Sequence, residues 1–202
     1  ERLVYGSYPE VVNLPDGASR QRYLSELVNA YLMKDLLSFA GVRNAAKLLS
    51  LLRLVALQIG REVSLEELAR QLQMSKNTVD RYLDLLTKVF VLRRVGGYSR
   101  NLRKEIVKNA RWYFYDNGIR NALINDFRPL VLRTDVGELW ENYLTAERIK
   151  ALAAQERSVE IYFWRTYDHQ EIDWVEAENG ELRAYEFKWQ RGRARPPKAF
   201  AD

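Results

Sequence analysis

The sequence predicts a mixed α and β protein, with helices in its first part and alternating helix and strand at its end. Three observations predict this class. Apolar residues recur at helical spacing along the first half of the chain. Two capped helices separated by a tight turn are then followed by short apolar strands. Near the end, Asn179-Gly180 joins two further strands, because both residues tolerate the positive φ of a tight hairpin turn.

The composition limits the chemistry that the protein can perform. The 202 residues allow one or two domains, and 47% are hydrophobic and 29% charged, as in ordinary globular proteins. The chain has no cysteine and one histidine, His169, which excludes structural disulfides, cysteine-ligated zinc and a histidine-rich metal site. No apolar run approaches the roughly 20 residues that cross a bilayer, so we expect no membrane partner and a cytoplasmic location. A net charge of +5 permits nucleic-acid binding without requiring it.

Residues 1–40 are interpreted as a connector and a helix. Pro9, Pro15 and Asp16-Gly17 predict an irregular connector over residues 1–17. Ser19 is predicted to cap a helix that runs to about Phe39. Its apolar stripe comprises Leu24, Leu27, Val28, Tyr31 and Leu32.

Residues 41–126 are predicted to form a winged-helix domain. An apolar helix over residues 44–59 comes first. Ser64 caps a short helix and Ser75 caps a second one that runs from Lys76 to about Val89, which together form a helix-turn-helix. A strand over 90–95, a turn at Gly96-Gly97 and a return strand over 112–115 then form the wing, and a short helix over 119–125 follows.

Basic residues of this domain are candidates for nucleic-acid contact. On the second helix of the helix-turn-helix, Lys76, Asn77 and Arg81 point outward, although Asp80 and Asp84 on the same side would repel phosphate. Between residues 93 and 111 there are seven basic residues and one acid, so the wing could supply salt-sensitive, sequence-independent affinity for DNA. The wing candidates are Arg100, Arg103 and Lys104. The alternative is that the domain packs against or docks another protein.

Residues 127–136 are predicted to be a linker, and residues 137–202 a last domain. Its helix runs from Gly137 to about residue 155, and strands over 159–164, 171–177 and 182–189 form a meander. Glu186 and Lys188 are two apart and share a face of one strand, while Asp173 lies on its neighbour. Two carboxylates beside an ammonium can hold a divalent metal and neutralise a developing anion; the alternative is a surface ion pair with no chemistry.

These motifs resemble those of a known family. Asp173 followed by Glu186-x-Lys188 on adjacent strands resembles the PD-(D/E)XK nuclease signature, which also takes a glutamate from a preceding helix, here Glu141. The ordered segments 5–10, 137–144, 162–166, 171–174 and 186–189 are similar to the C-terminal part of bacterial and archaeal AAA-type P-loop ATPases. In that family a winged helix precedes a nuclease-like, restriction endonuclease-like domain of unknown function.

The resemblance implies a site and partners. Asp173, Glu186 and the Phe187 carbonyl would hold Mg²⁺, Lys188 would orient or deprotonate water, and Glu141 would support the metal shell. ATP would bind only in an upstream module, because this chain has no Gly-rich phosphate loop. The expected partners are DNA, the upstream ATPase domain of the same protein and a second copy of the chain.

The resemblance also implies that the last domain is incomplete. The family's core continues with a helix and a strand, whereas residues 190–202 of this chain are rich in arginine and proline. We therefore expect this part of the protein to be a weak or inactive nuclease by itself. The alternative is a non-catalytic module that binds DNA or protein, or that mediates self-association, under the control of the upstream ATPase.

Overall fold

The computed structural model describes residues 1–32, 44–99, 110–165 and 170–189, and it confirms a mixed α and β protein. Within these ranges, helices surround one six-stranded sheet of strand order β1-β3-β2-β4-β5-β6. The helices are α1 Arg2–Tyr5, α2 Pro9–Val12, α3 Gly17–Glu26, α4 Ala45–Leu57, α5 Leu65–Leu72, α6 Lys76–Lys88, α7 Asn117–Ile124 and α8 Val136–Ala154. The strands are β1 Glu62–Val63, β2 Leu92–Gly97, β3 Ala110–Phe114, β4 Glu160–Arg165, β5 Glu171–Glu178 and β6 Glu181–Tyr185. Each of these helices is too short or too polar to span a bilayer.

The amino-terminal segment is more regular than predicted. It contains α1 and α2, and Pro9 occupies the first turn of α2, where a missing N–H breaks no hydrogen bond. Asp16, and not Ser19, caps α3, because its carboxylate accepts the Ser19 N–H at 2.8 Å. A π-helix, Leu27–Leu32, continues from α3, and the predicted extension to Phe39 lies outside the described residues.

The two helices capped by Ser64 and Ser75 form as predicted. The hydroxyls of Ser64 and Ser75 accept the N–H groups of Glu67 and Thr78, which fixes the starts of α5 and α6. Strand β1 pairs with β3, and β3 pairs with β2, both antiparallel. One hydrophobic core joins α4, α5, α6 and these strands; among its buried residues are Leu48, Leu52, Leu68, Val79, Leu83, Leu86 and Leu92.

Strand β2 continues through residues where a turn was predicted. Gly96 and Gly97 belong to β2 and pair in parallel with Tyr162 and Phe163 of β4. The Tyr98 N–H extends this contact by donating to the Phe163 carbonyl at 2.7 Å. The expected turn was wrong because hydrogen bonds to β4 hold the glycine pair extended. As a result, strands β1 to β3 and the carboxy-terminal meander form a single sheet.

Strand β3 has two different faces. Ala110, Trp112 and Phe114 pack into the first hydrophobic core. Because successive side chains of a strand alternate, Arg111 and Tyr113 point to the opposite side of the sheet. Tyr113 joins a second core with Val95, Leu152, Phe163 and Trp174. Strand β3 therefore supplies side chains to the region where the predicted site lies.

The predicted linker, 127–136, is anchored to the rest of the chain. It contains a 3₁₀ turn, Leu130–Leu132, followed by the buried side chain of Arg133. The Arg133 guanidinium donates to Asp135 at 2.8 Å and to Asn121 at 3.2 Å. Arg120 of α7 also donates to Asp135, so this carboxylate joins the two sides of the segment. The domain boundaries themselves stay predictions.

Gly6 allows close packing of the amino terminus on Asp116. The Asp116 carboxylate accepts the N–H groups of Ser7, Gly118 and Ile119, which caps α7 and ties the segment after α1 to it. Gly6 has φ +75°, and a Cβ at this position would collide with the Asp116 carboxylate. Its backbone conformation and its close contact both require glycine.

We expect Gly6→Ala to lower the free energy of unfolding by about 2–4 kcal/mol, because it adds backbone strain and a steric clash. Urea denaturation followed by circular dichroism measures the loss. Gly180→Ala is the matched control: its φ is +82°, but no atom lies within 4 Å of the added Cβ, so it carries strain alone. Equal losses for the two variants would show that the Asp116 contact does not matter.

Candidate functional site

The predicted acidic residues converge beside the second core. Glu141 lies on α8, Asp173 on β5, and Glu186 and Lys188 directly after β6. Asp173 accepts the N–H of Phe187, the residue between Glu186 and Lys188, and Nη1 of Arg111 lies 3.6 Å from Oε1 of Glu141 and 3.9 Å from Oδ1 of Asp173. Residues that are far apart in the sequence thus form one cluster, which we call the acid cluster; it also includes Glu171.

Glu141 points from α8 toward β3 and is largely buried. Its Oε1 accepts the Tyr113 hydroxyl at 2.6 Å and lies 3.6 Å from Nη1 of Arg111. A Cβ on Gly60 would stand 3.3 Å from the carboxylate oxygens, so the backbone after α4 closes one side. Burial and the Asp173 charge raise the pKa of Glu141 to about 7, against the opposing effects of Tyr113 and Arg111. This carboxyl can therefore exchange a proton at neutral pH.

A β-bulge turns Asp173 into the cluster. Tyr162 pairs with Val175 while Trp164 pairs with Ile172, so Asp173 and Trp174 together lie opposite one residue of β4. The Asp173 Oδ2 accepts the Phe187 N–H at 2.9 Å. Burial and the Glu186 charge raise the pKa of Asp173, although the Phe187 N–H and Lys188 act in the opposite direction.

The Glu-x-Lys motif follows β6 and does not belong to it. The strand was predicted to reach residue 189, but it ends at Tyr185. The Asp173 side chain takes the Phe187 N–H that a continued ladder would have used, which is the physical reason for the earlier end. Glu186 and Lys188 still lie together, with Nζ 2.5 Å from Oε1.

The two side chains of this motif differ in what they can do. The ion pair with Glu186 raises the pKa of Lys188, so its amine stays protonated at neutral pH. This ammonium suits the orientation of water or the neutralisation of an anion better than the removal of a proton. The other oxygen of Glu186, Oε2, is buried and has no hydrogen-bond partner within the described part of the chain. It is free to bind a cation.

Sequence reasoning missed Arg111, the positive charge at the centre of the cluster. Its side chain is 3% exposed, its Nη2 donates to Glu171, and its guanidinium lies 4.4 Å from the centre of the Phe163 ring. Nε and Nη1 are buried without a hydrogen-bond partner in the described ranges. The available signal was an arginine within the apolar run of β3, because a buried charge requires a counter-charge.

The oxygen atoms present fit a hydrated magnesium ion. No group of three His, Cys, Asp or Glu side chains with metal-binding geometry occurs among the described residues, so Glu141, Asp173 and Glu186 do not form one ligand set. Mg²⁺ is commonly held by one or two carboxylates and keeps several waters. Asp173 and Glu186 supply two carboxylates, and the buried unpaired Oε2 of Glu186 is the atom that a cation would satisfy.

Two families match the chain, one in each part. Residues 1–129 match a domain of unknown function, DUF8612, which accounts for more than half of the chain. The chain belongs to the DUF8612 family. Residues 136–202 match a second domain of unknown function, DUF4143, a kind typically associated with the C-termini of AAA ATPases. We refer to these ranges as the DUF8612 part and the DUF4143 part.

The DUF8612 chain also resembles curated proteins whose functions are uncharacterized. It is 30% identical over 164 residues to an uncharacterized protein of Mycobacterium bovis and equally to one of Mycobacterium tuberculosis, which covers 80% of this chain and 36% of each relative. An uncharacterized protein of Haemophilus influenzae is 27% identical over 125 residues, 59% of this chain and 31% of that protein. The chain spans about a third of the length of these relatives. No solved structure matches it.

The acid cluster uses side chains of both parts. Arg111 and Tyr113 come from β3 of the DUF8612 part. Glu141, Asp173 and Glu186 come from the DUF4143 part. The site thus lies at the contact between the two matched domains, which explains why motifs within the second domain alone revealed only its acids and its lysine.

The structure describes the nucleic-acid candidates of the DUF8612 part only on α6. Lys76, Asn77 and Arg81 are exposed on α6, as predicted. Lys76 forms an ion pair with Glu66, however, and the nearby Asp84 pairs with Lys88, which reduces the positive charge of this surface. The wing candidates Arg100, Arg103 and Lys104 lie outside the described residues, as does His169.

Proposed function

We propose that this chain is the C-terminal part of an AAA-type ATPase, in which a winged helix binds DNA and a PD-(D/E)XK-like domain cleaves it with Mg²⁺. The observation that carries the proposal is the convergence of Glu141, Asp173 and the Glu186–Lys188 segment. Nη1 of Arg111 lies 3.6 Å from Oε1 of Glu141 and 3.9 Å from Oδ1 of Asp173, and Asp173 accepts the N–H of Phe187, which stands between Glu186 and Lys188. Surface charges placed for solubility alone would not gather into one partly buried cluster whose ionisations affect one another.

The order of the elements supports the winged-helix assignment. A helix, a short strand, two capped helices and two longer strands follow one another from α4 to β3. The short strand β1 pairs with β3, and β3 pairs with β2, which gives the three-stranded sheet that such a domain needs. The exposed face of α6 would be the surface that meets a DNA groove.

The residues of the acid cluster suit phosphodiester hydrolysis. Asp173 and Glu186 would hold Mg²⁺, which when bound would lower the pKa of a water molecule and polarise the phosphate. The Lys188 ammonium would orient the phosphate and neutralise its growing negative charge. The water oxygen would form the new bond to phosphorus as the P–O bond to the departing sugar oxygen breaks. Glu141, with a pKa of about 7, would accept the proton that the water loses, and solvent would protonate the departing oxygen.

Cleavage of duplex DNA in Mg²⁺ by the full-length protein tests this proposal, because this chain by itself is expected to be a weak or inactive nuclease. We expect Asp173→Asn and Lys188→Met each to reduce the rate at least 100-fold, because they remove a metal ligand and the compensating charge. Glu178→Gln is the matched control: Glu178 is an acid of the same strand, but it pairs with Arg157 away from the cluster. Cleavage that survives in both variants, or that proceeds equally in EDTA, would contradict the proposal.

A second candidate is a module that binds DNA or protein, or that self-associates, without catalysis. This candidate is favoured by Arg111, because its positive charge lies next to Glu141 and Asp173 and would oppose the binding of a metal ion there. This candidate predicts salt-sensitive DNA binding, measured by fluorescence anisotropy, with no cleavage in Mg²⁺ or Mn²⁺. No DNA affinity at low salt together with a stable dimer would leave self-association as the function.

A further inference from the structure

Arg111 carries a positive charge from the DUF8612 part into the acid cluster. Its Nη1 lies 3.6 Å from Oε1 of Glu141 and 3.9 Å from Oδ1 of Asp173, so one nitrogen stands between a carboxylate of α8 and one of β5. These distances are slightly longer than hydrogen bonds, and this nitrogen is buried without a partner in the described ranges. A small rotation of the guanidinium would bring it onto either oxygen.

The acid cluster contains more acidic than basic side chains. Its acids are Glu141, Glu171, Asp173 and Glu186, and its two closest cations are Arg111 and Lys188. Lys188 is held by Glu186, and Nη2 of Arg111 is held by Glu171. Glu141 and Asp173 are left to share Nη1. Asp173, which the proposed metal site also uses, is therefore the carboxylate at which an added cation and Arg111 meet.

We propose that Arg111 competes with a divalent cation for Asp173, so that the DUF8612 part sets the metal affinity of the DUF4143 part. This inference rests on the metal site of the proposed function. When the ion binds, the guanidinium withdraws toward Glu171 and the Phe163 ring, which already hold its other side. A shift of β3 relative to β5 would change how firmly Arg111 occupies this position, and would thereby change metal affinity.

Mn²⁺ affinity, measured by the electron paramagnetic resonance signal of free Mn²⁺, tests the competition. We expect Arg111→Gln to bind Mn²⁺ at least tenfold more tightly than the wild type, because a positive charge next to the site is gone. Arg111→Lys keeps the charge and should stay within threefold of the wild type. Arg165→Gln is the matched control, since Arg165 pairs with Glu62 and Glu171 at the rim of the cluster, and it should change affinity less than threefold.

The outcomes separate this inference from the proposed function. Mn²⁺ that binds the wild type and Arg111→Gln with equal affinity, or the variant more weakly, overturns the competition and leaves the metal site standing. Absence of Mn²⁺ binding in the wild type and in every Arg111 variant overturns both.

A measurement on the wild-type protein tests the competition even if an Arg111 variant does not fold. The Nε–H resonance of Arg111, assigned by its loss in Arg111→Lys, should move when Mg²⁺ is added, because the guanidinium changes its neighbours. The half-point of this movement should equal the Mg²⁺ dissociation constant. An Arg111 resonance that stays in place while Mg²⁺ saturates the protein would overturn the competition.

Discussion

Asn142→Leu should lower the free energy of unfolding by about 3–5 kcal/mol, one of the largest losses for any single substitution in this chain. The Asn142 amide accepts the Phe114 N–H at 2.7 Å and donates to the Phe114 carbonyl at 3.1 Å, so it pairs with the backbone of β3 as a neighbouring strand would. It also donates to the side chain of Asn117 at 2.6 Å. Leucine leaves all three buried groups unpaired, each at a cost of about 1–3 kcal/mol.

Urea denaturation at constant pH measures this loss, and Asn13→Ala serves as the control. The Asn13 side chain also donates to backbone, to the Pro9 carbonyl at 2.9 Å, but this residue is exposed. We expect the control to change stability by less than about 0.5 kcal/mol. A loss below about 1 kcal/mol for Asn142→Leu would show that water or repacking satisfies the polar groups of Phe114 and Asn117. The hydrogen bonds of Asn142 would then not be what holds α8 against β3.

The sequence predicted the elements better than it predicted their contacts. Local signals are sufficient for the caps at Ser64 and Ser75 and for the Asn179-Gly180 turn, where both residues have positive φ. They are insufficient for Gly96-Gly97, because the parallel pairing with β4 depends on a strand more than 60 positions later in the sequence. Glycine pairs usually mark turns, and here a long-range backbone contact overrides that preference.

The same limit applies to the candidate site. The motif around Glu141 and Asn142 was interpreted for its glutamate, yet its asparagine joins α8 to β3. The spacing of Asp173, Glu186 and Lys188 predicted a shared location, and their mutual electrostatic effects agree with it. Arg111 could not be assigned to the cluster from the sequence, because the alternation of β3 gives it a face but does not say which acids lie opposite.

The pH dependence of stability should reveal the buried carboxyl of Glu141. Its pKa is about 7 in the folded protein, compared with 4.5 for an unperturbed glutamate. Between these values the unfolded chain is ionised while the folded chain keeps its proton, so stability falls as pH rises through this window. Below it both states are protonated and Glu141 makes no contribution. Above it the full cost of the buried charge is present, about 3 kcal/mol at about 1.4 kcal/mol for each pKa unit.

Glu141→Gln removes this titration and keeps an oxygen that can accept the Tyr113 hydroxyl. In EDTA, where no divalent ion binds, we expect the variant to gain about 3 kcal/mol over the wild type between pH 4.5 and pH 8, measured by urea denaturation at a series of pH values. Glu176→Gln is the control, because the pKa of Glu176 is shifted in the direction opposite to that of Glu141. Burial acts to raise the pKa of Glu176, but hydrogen bonds from Arg148 and Trp174 bring it below its ordinary value.

The two variants should therefore diverge as pH rises. Because the folded pKa of Glu176 is depressed, its ionisation stabilises the wild type progressively as pH rises from the folded pKa to the ordinary glutamate value. The deficit of Glu176→Gln should therefore grow up to that value and stay constant above it. Glu141→Gln should gain stability over the higher window that extends to about pH 7. Parallel stability curves for Glu141→Gln and the wild type would mean that Arg111 or water already compensates the Glu141 charge. The pKa of Glu141 would then lie well below 7, and its carboxylate would be a poor acceptor for the proton of the attacking water at neutral pH.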